Sequence, residues 1–320
     1  MRKTILLYNP SSGRRRDRRL AEVEAAMSIL HAAGVEASSA ATRADGGAAE
    51  QVSNAISQGC DTVFACGGDG TIHDVLQGLV GTSVALGIIP LGTANSLAHD
   101  LALPLSPARA VQAALTATPR RVAVGQVEYQ DFSGKPNSRY FTVTAGIGVD
   151  AHLFYELNPS AKRRLGMMAY YVKATRLWLT HKMEHFAVEI PEASQTRRAE
   201  VSQLLAVRIQ NFGGALRELA PGASLERNDL RLVLFHTRSR AAYLGYVLRG
   251  LLGTRWSIPG IELLHSATVA CRVLPRSSAT SKRILVEADG ELLGTLPAKI
   301  TMVPDGVTLL APSEQKRSGG

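Results

Sequence analysis

Two glycine-bearing loops carry the residues of this chain that are best suited to chemistry. They read Cys66-Gly67-Gly68-Asp69-Gly70-Thr71 and Pro90-Leu91-Gly92-Thr93-Ala94-Asn95, and each follows an apolar run and precedes a helical pattern. Glycine lets a backbone approach a phosphate closely, and the N–H groups at the start of a helix attract an anion. The two loops therefore predict a nucleotide phosphate site.

The acid inside the first loop makes this prediction more specific. The carboxylate of Asp69 would repel a bare phosphate, so a metal ion has to lie between the two groups. Mg²⁺ prefers oxygen ligands and binds through few carboxylates together with substrate phosphates. We therefore expect Mg²⁺ on ATP to be the ligand, with Asp69 acting on the metal.

The elements that position these loops follow from the alternation of short β-rich runs with helical ones over the first 118 residues. This alternation is typical of a parallel sheet flanked by helices. We expect strands at residues 4–8, 35–41, 62–65 and 84–89, and helices at 18–33, 48–58, 72–80 and 107–117. Both glycine-bearing loops, and Asn9 after the first strand, then fall at the carboxyl ends of strands, where open α/β sheets bind ligands.

The second half of the chain is predominantly β, which favours a sandwich. We expect strands at residues 122–129, 140–145, 185–190, 204–210, 230–236 and 267–273. Two helical segments, 162–179 and 240–252, mix large apolar residues with Lys, Arg, Tyr and Trp. They line a lipid cleft, lie on a bilayer surface or simply cover the sheet, and the sequence leaves these alternatives open.

Composition restricts the class of partner. The formal net charge of +9, from 36 Lys+Arg against 27 Asp+Glu, suits an anionic partner, either lipid headgroups or nucleic acid. An aromatic content of 5% and the lack of a recognisable binding module lead us to expect no nucleic acid. The basic cluster at residues 14–19 is interpreted as a solvated helix start.

The chain shows no pattern of secretion or of membrane spanning. Charged residues interrupt the apolar stretches before they reach the roughly 20 residues that a membrane span needs, so any lipid contact is expected to be peripheral. Three cysteines form neither a zinc spacing nor an even disulfide set. We therefore expect a reducing compartment and a cytoplasmic location.

Four motifs in a fixed order resemble the diacylglycerol kinase catalytic-domain family of lipid kinases. They are the two glycine-bearing loops, Asn9-Pro10-Ser11-Ser12-Gly13 and Glu287-Ala288-Asp289-Gly290-Glu291, and they span nearly the whole chain. The resemblance implies an α/β N-terminal domain and a sandwich-like β domain, as in diacylglycerol and NAD kinases. It also implies transfer of the γ-phosphoryl group of ATP to the free hydroxyl of diacylglycerol or a related lipid.

The resemblance assigns roles to individual residues. Asp289 becomes the general base and Asp69 assists Mg–ATP, whereas without the family Asp289-Gly290 is simply a hairpin turn. Asp150 and Asp74 become candidates for the acceptor headgroup; otherwise Asp150 caps a helix and Asp74 is a first-turn acid favoured by the helix dipole. The expected nucleotide contacts are Asn9, Gly67, Gly68, Gly70, Thr71, Gly92, Thr93, Asn95 and Glu291.

The domain and partner expectations follow from the same resemblance. We expect an ATP-binding domain at 1–121, a lipid-substrate domain at 122–311 and a flexible tail at 312–320, with the last strands free to return to the first domain. The expected partner is a lipid substrate at a membrane surface, approached peripherally and favoured by anionic lipids. The sequence is compatible with a homodimer and does not specify the oligomeric state.

One departure and two alternatives stand beside this interpretation. Relatives often carry Asp-Asp-Gly where this chain has Glu226-Arg227-Asn228-Asp229, which puts a structural metal in doubt. An NAD kinase shares the Gly-Gly-Asp-Gly loop, although its second loop usually follows another pattern. A non-catalytic lipid-binding protein of the same fold is the third reading, and retention of Asp69, Thr71, Asn95 and Asp289 argues against it.

Overall fold

The computed structural model describes residues 1–10, 18–43, 47–149, 183–213, 218–254, 256–275 and 283–312. The chain forms two compact units. The first comprises Met1–Val124, Asn211–Ala215 and Val303–Gly320, and the second comprises Gly125–Gln210 and Leu216–Met302. The chain therefore returns to its first unit twice.

The first unit alternates strands and helices. Its elements are β1 Lys3–Tyr8, α1 Arg19–Ala32, β2 Glu36–Ala41, α2 Gly47–Ser57, β3 Thr62–Gly67, α3 Asp69–Leu79, β4 Ala85–Pro90, α4 Ser96–Asp100 and α5 Pro107–Thr116. The strands pair in parallel in the order β2-β1-β3-β4. Strands β3 and β4 are buried along their whole length, as expected of parallel strands covered on both faces.

One face of this sheet packs on α1 and α5. Leu6, Phe64 and Ile89 point from the strands into a core that also contains Leu30 of α1 and Val111 of α5, and all five side chains are almost fully buried. The alternation of strand side chains selects the residues of this face, and the helices supply their apolar stripes. This packing fixes the strand ends that carry the predicted loops.

The second unit is mainly antiparallel β. Its elements are β5 Thr118–Gln130, which begins in the first unit, β6 Pro136–Phe141, β7 Thr144–Gly148, β8 Phe186–Pro191, β9 Thr196–Val201, β10 Gln203–Val207, β11 Leu230–Phe235, α6 Arg240–Leu252, β12 Ile261–Ser266, β13 Thr268–Val273, β14 Leu285–Ala288 and β15 Glu291–Ala311. Neighbouring strands follow the order β12-β11-β10-β7-β14-β15, and β13, β8 and β9 pair in sequence from β15.

The last strand closes the first sheet. The part of β15 from Val303 onward belongs to the first unit, where Thr308 pairs in parallel with Ala85 of β4. A second return is made by the segment after β10, where the amide of Asn211 donates to the carboxylate of Asp100 at 2.9 Å. The sequence left open whether the final strands join the first domain, and in the structure the end of β15 does so.

Several elements differ from the sequence expectations. Helix α3 begins at Asp69, three residues earlier than expected, because Gly68 is its N-cap and the glycines do not extend the loop. Helix α4 and strands β9 and β12 have no counterpart among the expected elements. Helix α6 has the expected bounds, and the expected helix at 162–179 lies outside the described residues. All three cysteines are buried and free.

Candidate functional site

The carboxyl ends of β1, β3 and β4 meet at one edge of the first unit's sheet. The parallel register places Tyr8 beside Cys66 and Gly67 beside Pro90. The amide of Asn9 donates to the carbonyl of Cys66 at 3.2 Å, which continues this pairing beyond β1. The structure thus brings together Asn9 and the two glycine-bearing loops, as their positions after successive strands predict.

Helix α3 starts directly at this edge. Its N-cap is Gly68 in an extended conformation. The first N–H groups of a helix have no partner within the helix and give its start a partial positive charge. The amides of Thr71 and Ile72 bond to the carbonyl of Gly68, at 3.0 and 3.1 Å, so the helix is regular from its first turn. The start of α3 is therefore suited to binding an anion.

Thr71 shapes the first loop from inside. It is 3% exposed, and a Cβ placed on Gly67 would overlap its side chain. Glycine is therefore required at position 67 because the threonine occupies the space beside it. The structure places Gly67, Gly68, Gly70 and Thr71 together at this loop, and their phosphate contacts stay predictions.

Asn95 closes the second loop. It adopts a left-handed conformation, φ 54°, which asparagine tolerates better than most residues. Its Oδ1 accepts a hydrogen bond from the amide of Gly92 at 2.9 Å, and its Nδ2 donates to the carbonyl of Gly92 at 3.2 Å. Thr93 is exposed at the tip of the turn. In this structure Asn95 and Gly92 shape the loop, and the nucleotide contacts of Gly92, Thr93 and Asn95 stay predictions.

Asp69 links the starts of two helices. It is half-buried at the first position of α3, and its Oδ1 accepts a hydrogen bond from the amide of Leu97 in α4 at 3.4 Å. Asp74 is also half-buried but lies in the second turn of α3. The interpretation of Asp74 as a first-turn acid is therefore wrong, because the helix begins earlier than expected. Its role at the acceptor headgroup stays a prediction.

A cavity of about 630 Å³ lies beside the second loop, and no sequence motif indicates it. Gly92 and Thr93 line it together with Arg19 and Glu22 of α1. Arg19 is 3% exposed and donates to the carbonyl of Leu91 at 3.0 Å and to the carboxylate of Glu22 at 3.3 Å. The interpretation of the basic cluster as solvated is thus wrong for Arg19, whose position at the end of an arginine run concealed its burial.

In the second unit, Asp289 forms a tight hairpin. Asp289 and Gly290 both have positive φ, 49° and 82°, and they connect Ala288 to Glu291, which pair across β14 and β15. Positive φ at both central residues is the geometry that Asp-Gly favours in two-residue hairpins. The hairpin expected from the Asp-Gly pair is present, and it also fixes where the aspartate side chain starts.

The carboxylate of Asp289 is held by three backbone amides. Oδ2 accepts from Thr142 at 3.0 Å, and Oδ1 accepts from Val143 and Thr144 at 2.9 and 3.1 Å. The amide of Asp289 in turn donates to the carbonyl of Thr144 at 2.8 Å. The side chain is 8% exposed. This geometry anchors the hairpin to the segment before β7, and the role of Asp289 as general base stays a prediction.

Glu287 is a buried acid that sequence reasoning did not single out. It is fully buried, and its Oε2 accepts a hydrogen bond from the amide of Gly290 at 2.9 Å, which closes the hairpin from the inside. Its place between the apolar residues Val286 and Ala288 was the available signal, since carboxylates are rarely fully buried without a role. Glu291 is exposed at the start of β15, and Asp150 lies outside the described residues.

A buried arginine organises the loop in which relatives carry Asp-Asp-Gly. Arg208 is fully buried, and its guanidinium donates to the carbonyls of Arg227 and Asp229, both at 2.8 Å. It also donates to the carbonyls of Ser224 and Leu225 at 3.2 and 3.1 Å. In the described residues, these four carbonyl oxygens therefore already face a positive charge, the guanidinium of Arg208.

Within the described ranges, no group of three or more His, Cys, Asp or Glu side chains could hold a metal ion. This does not disagree with Mg²⁺ at Asp69, because Mg²⁺ is commonly bound by one or two carboxylates with substrate phosphates and water supplying the remaining ligands. The half-buried carboxylate at the first position of α3 fits such a site.

Two family models cover most of the chain. Residues 3–127 match the diacylglycerol kinase catalytic domain, and residues 143–311 match the YegS C-terminal NAD kinase beta sandwich-like domain. The chain belongs to the diacylglycerol kinase catalytic-domain family. The membership confirms the expected family and fold class, an α/β domain followed by a sandwich-like β domain. It supports a kinase and, with it, the use of ATP.

Members of the family resemble the chain along its whole length. The diacylglycerol kinase of Bacillus subtilis strain 168 is 28% identical over 319 residues, covering 98% of both chains. The diacylglycerol kinase of Staphylococcus carnosus strain TM300 is 27% identical over 321 residues, covering 99% of this chain and 98% of that protein. Both alignments therefore include the two halves of the chain.

Solved structures show the same fold. A diacylglycerol kinase from Bacillus anthracis strain Sterne aligns with a TM-score of 0.68 at 19% identity, over 97% of this chain and 96% of that one. Yeast NADH kinase complexed with NADH aligns with a TM-score of 0.53 at 12% identity, over 98% of this chain and 84% of that one.

Across the described parts of the chain, no helix has both the length and the apolar character needed to cross a membrane.

Proposed function

We propose that this protein is an ATP-dependent lipid kinase that transfers the γ-phosphoryl group to the free hydroxyl of diacylglycerol or a related lipid. The observation that carries the proposal is the start of α3 at Gly68, which lies at the sheet edge where both glycine-bearing loops meet. Family membership and the full-length similarity to diacylglycerol kinases support the same activity.

The first unit supplies the nucleotide contacts. The N–H groups at the start of α3 bind phosphate oxygens, with the hydroxyl of Thr93 at the exposed loop tip as a further donor. The carboxylate of Asp69 would hold Mg²⁺, which would supply positive charge to the phosphates. The cavity beside Thr93 has a volume in the range of small-molecule sites and suits the remainder of the nucleotide.

The second unit supplies the proton acceptor. As the lipid hydroxyl oxygen bonds to the γ-phosphorus, the bond between the γ-phosphorus and the β–γ bridging oxygen breaks and ADP leaves. The hydroxyl proton passes to the carboxylate of Asp289. Three amide hydrogen bonds keep this carboxylate in one orientation. Phosphoryl transfer has a loose transition state in which positioning contributes much of the rate, so a fixed orientation favours this role.

The acceptor is expected at a membrane surface, because a diacylglycerol is insoluble in water. The formal net charge of +9 favours a surface that carries anionic lipids. We propose peripheral binding, which needs no spanning helix.

The test is a transfer assay with a mixed panel of acceptors. The purified protein receives Mg²⁺, γ-labelled ATP, diacylglycerol, ceramide, sphingosine, monoacylglycerol and NAD, and the products are separated. Label in a lipid identifies the acceptor class. Label in NADP would replace the proposal by an NAD kinase, and no transfer at all would favour a non-catalytic lipid-binding protein.

Two aspartates around β3 provide matched variants for this assay. Asp69→Asn keeps an oxygen that can accept from Leu97 but removes the charge, so we expect transfer to fall by about 100-fold or more. Asp61 precedes the same strand at the opposite end, and Asp61→Asn should leave transfer within about twofold. Equal activities of the two variants would remove Asp69 from the Mg²⁺ site.

A further inference from the structure

Helix α6 is oriented with its apolar side toward solvent. Its outward residues are all aliphatic beyond the first turn, and their exposed fractions are 50% for Leu244, 46% for Val247, 43% for Leu248, 44% for Leu251 and 66% for Leu252. A surface helix normally presents polar residues on this side. We call these five residues the α6 apolar face.

The opposite side of α6 carries the polar groups, and they are held inside the second unit. The hydroxyl of Tyr246 donates to the carbonyl of Leu219 at 2.6 Å. The guanidinium of Arg249 lies 4.4 Å from the centre of the Tyr246 ring and donates to the same carbonyl at 3.4 Å. Tyr243 lies against Phe235 with ring centroids 4.5 Å apart. Rolling the helix to bury its leucines would break these contacts, so the outward orientation is built in.

Both ends of α6 are fixed as well. The hydroxyl oxygen of Ser239 accepts from the amide of Ala242 at 3.4 Å, and Gly253 ends the helix in a left-handed conformation, φ 64°. Trp256 follows and is 45% exposed. Tryptophan is favoured where apolar and aqueous surroundings meet, as at a bilayer interface. A preformed helix with such a residue at its end needs no folding step to present its apolar face.

The chain segment that contains α6 carries charged side chains of one sign. Residues 230–261 contain no Asp or Glu and five arginines. Arg238 and Arg240 are exposed at the start of α6. An amphipathic helix with aliphatic residues on one side and arginines at its border is the pattern that binds anionic membrane surfaces. A second copy of the same arginine-bearing face would be repelled by this charge.

We propose that the α6 apolar face, with Trp256 and the flanking Arg238 and Arg240, is the surface by which this protein binds a bilayer that contains anionic lipid. The inference rests on the proposed function for its purpose, since a lipid acceptor has to be collected from a membrane. The contact itself requires no phosphoryl transfer.

The test measures binding to vesicles without ATP. Wild type and the double variant Leu248→Gln/Leu251→Gln are co-sedimented with phosphatidylcholine vesicles containing phosphatidylserine. We expect the variant to bind about tenfold more weakly or worse, because two half-exposed leucines no longer enter the lipid. The matched control Phe132→Gln/Val273→Gln changes two residues of the same unit that are each 46% exposed, and it should bind as wild type does.

A charge pair of variants tests the electrostatic part. Arg238→Gln/Arg240→Gln should lose about tenfold in affinity for the anionic vesicles and little for pure phosphatidylcholine. The control Arg198→Gln/Arg272→Gln removes the same charge from side chains that are 79% and 68% exposed elsewhere on the second unit, and it should have a smaller effect. Equal effects of the two pairs would overturn the local assignment in favour of net charge alone.

Two further outcomes would contradict the inference. One is wild-type vesicle binding by the leucine variant with an unchanged thermal midpoint. The other is a concentration-dependent dimer in sedimentation equilibrium that the leucine variant abolishes, which would assign the face to a second copy. Failure of the kinase proposal can be told apart from failure of this inference. If the protein binds vesicles through α6 but phosphorylates no lipid, the inference stands and the kinase proposal fails. If the leucine variant still phosphorylates short-chain diacylglycerol in solution, the kinase proposal stands whatever the result for vesicle binding.

Discussion

Gly92 and Gly68 lie so close together that a Cβ on Gly92 would overlap the Cα of Gly68. The two glycine-bearing loops therefore pack backbone against backbone, and each fixes the position of the other. The second loop thus holds the N-cap of α3 in place. This contact explains why a loop that contributes few outward-pointing groups still belongs to the candidate site.

Replacing Gly92 by alanine should separate the loops. We expect Gly92→Ala to lower the free energy of unfolding by about 1–3 kcal/mol, as overpacking does, and to weaken nucleotide binding by about tenfold or more. Thermal unfolding and titration with a fluorescent nucleotide measure the two effects. Gly245→Ala is the control, because a Cβ there meets only Ile258 at 3.9 Å; a Gly92→Ala protein that binds nucleotide equally well would refute the role of the contact.

The Asp289→Asn variant should lose both turnover and stability. An amide has only one acceptor oxygen, so at least one of the three backbone N–H groups loses its partner, at a cost of about 1–3 kcal/mol. Turnover should be abolished while nucleotide affinity stays nearly unchanged. Asp131→Asn is a matched control, since Asp131 also accepts hydrogen bonds from backbone amides beside a hairpin but lies away from the candidate site and is only half-buried. Near-wild-type activity of a folded Asp289→Asn protein would rule out the general base.

Arg208→Met should be strongly destabilising. Removing the guanidinium leaves the carbonyls of the loop that ends at Asp229 without their donor in a buried setting, which we expect to cost on the order of 3 kcal/mol. Exposed Arg198 provides the comparison, and Arg198→Gln should cost under about 1 kcal/mol. Denaturant unfolding measures both. Addition of a chelator should not change the wild-type midpoint, and a large change would show that a metal ion stabilises this fold.

Asp229, at the end of the same loop, should make the free energy of unfolding depend on pH in the acidic range. The pKa of Asp229 is lowered, first by its hydrogen bonds with Arg227 and then by His265. Because the folded-state pKa lies below the unfolded value, the stabilisation is present above the unfolded value and is lost as pH falls through the folded one. Asp229→Asn should therefore cost about 1 kcal/mol at pH 7 and progressively less in acid below the model-compound value near 3.9. Glu24→Gln, at an exposed site on α1, should show no such convergence.

Hydrophobic periodicity and turn residues along the sequence predicted those helices and loops whose ends depend on neighbouring residues. Helix α6 has the expected bounds, and in the structure Ser239 and Gly253 cap its two ends. The glycine-bearing loops also follow strands at the expected places. The start of α3 was misplaced because Gly-Asp-Gly is typical of a loop, whereas here the helix begins at Asp69 within that triplet.

Burial of charged residues could not be predicted because its partners are distant in sequence. Arg208 stands in a β-rich run, and its acceptors lie 16 to 21 residues further along in a loop. Arg19 is buried, and its guanidinium donates a hydrogen bond to the carbonyl of Leu91, 72 residues further along the chain. The three amides that hold Asp289 lie about 145 residues before it. Such contacts follow from topology, so hydropathy and spacing along the chain do not reveal them.

The pairing of β15 with β4 has a consequence for synthesis on the ribosome. Thr308, which pairs beside β4, is translated more than two hundred residues after Ala85. Until then the nascent first unit has an open strand edge at β4, the kind of edge that invites wrong pairing. The first unit therefore completes its sheet only late in translation. A shortened chain that ends after the first half would leave the edge of β4 exposed permanently.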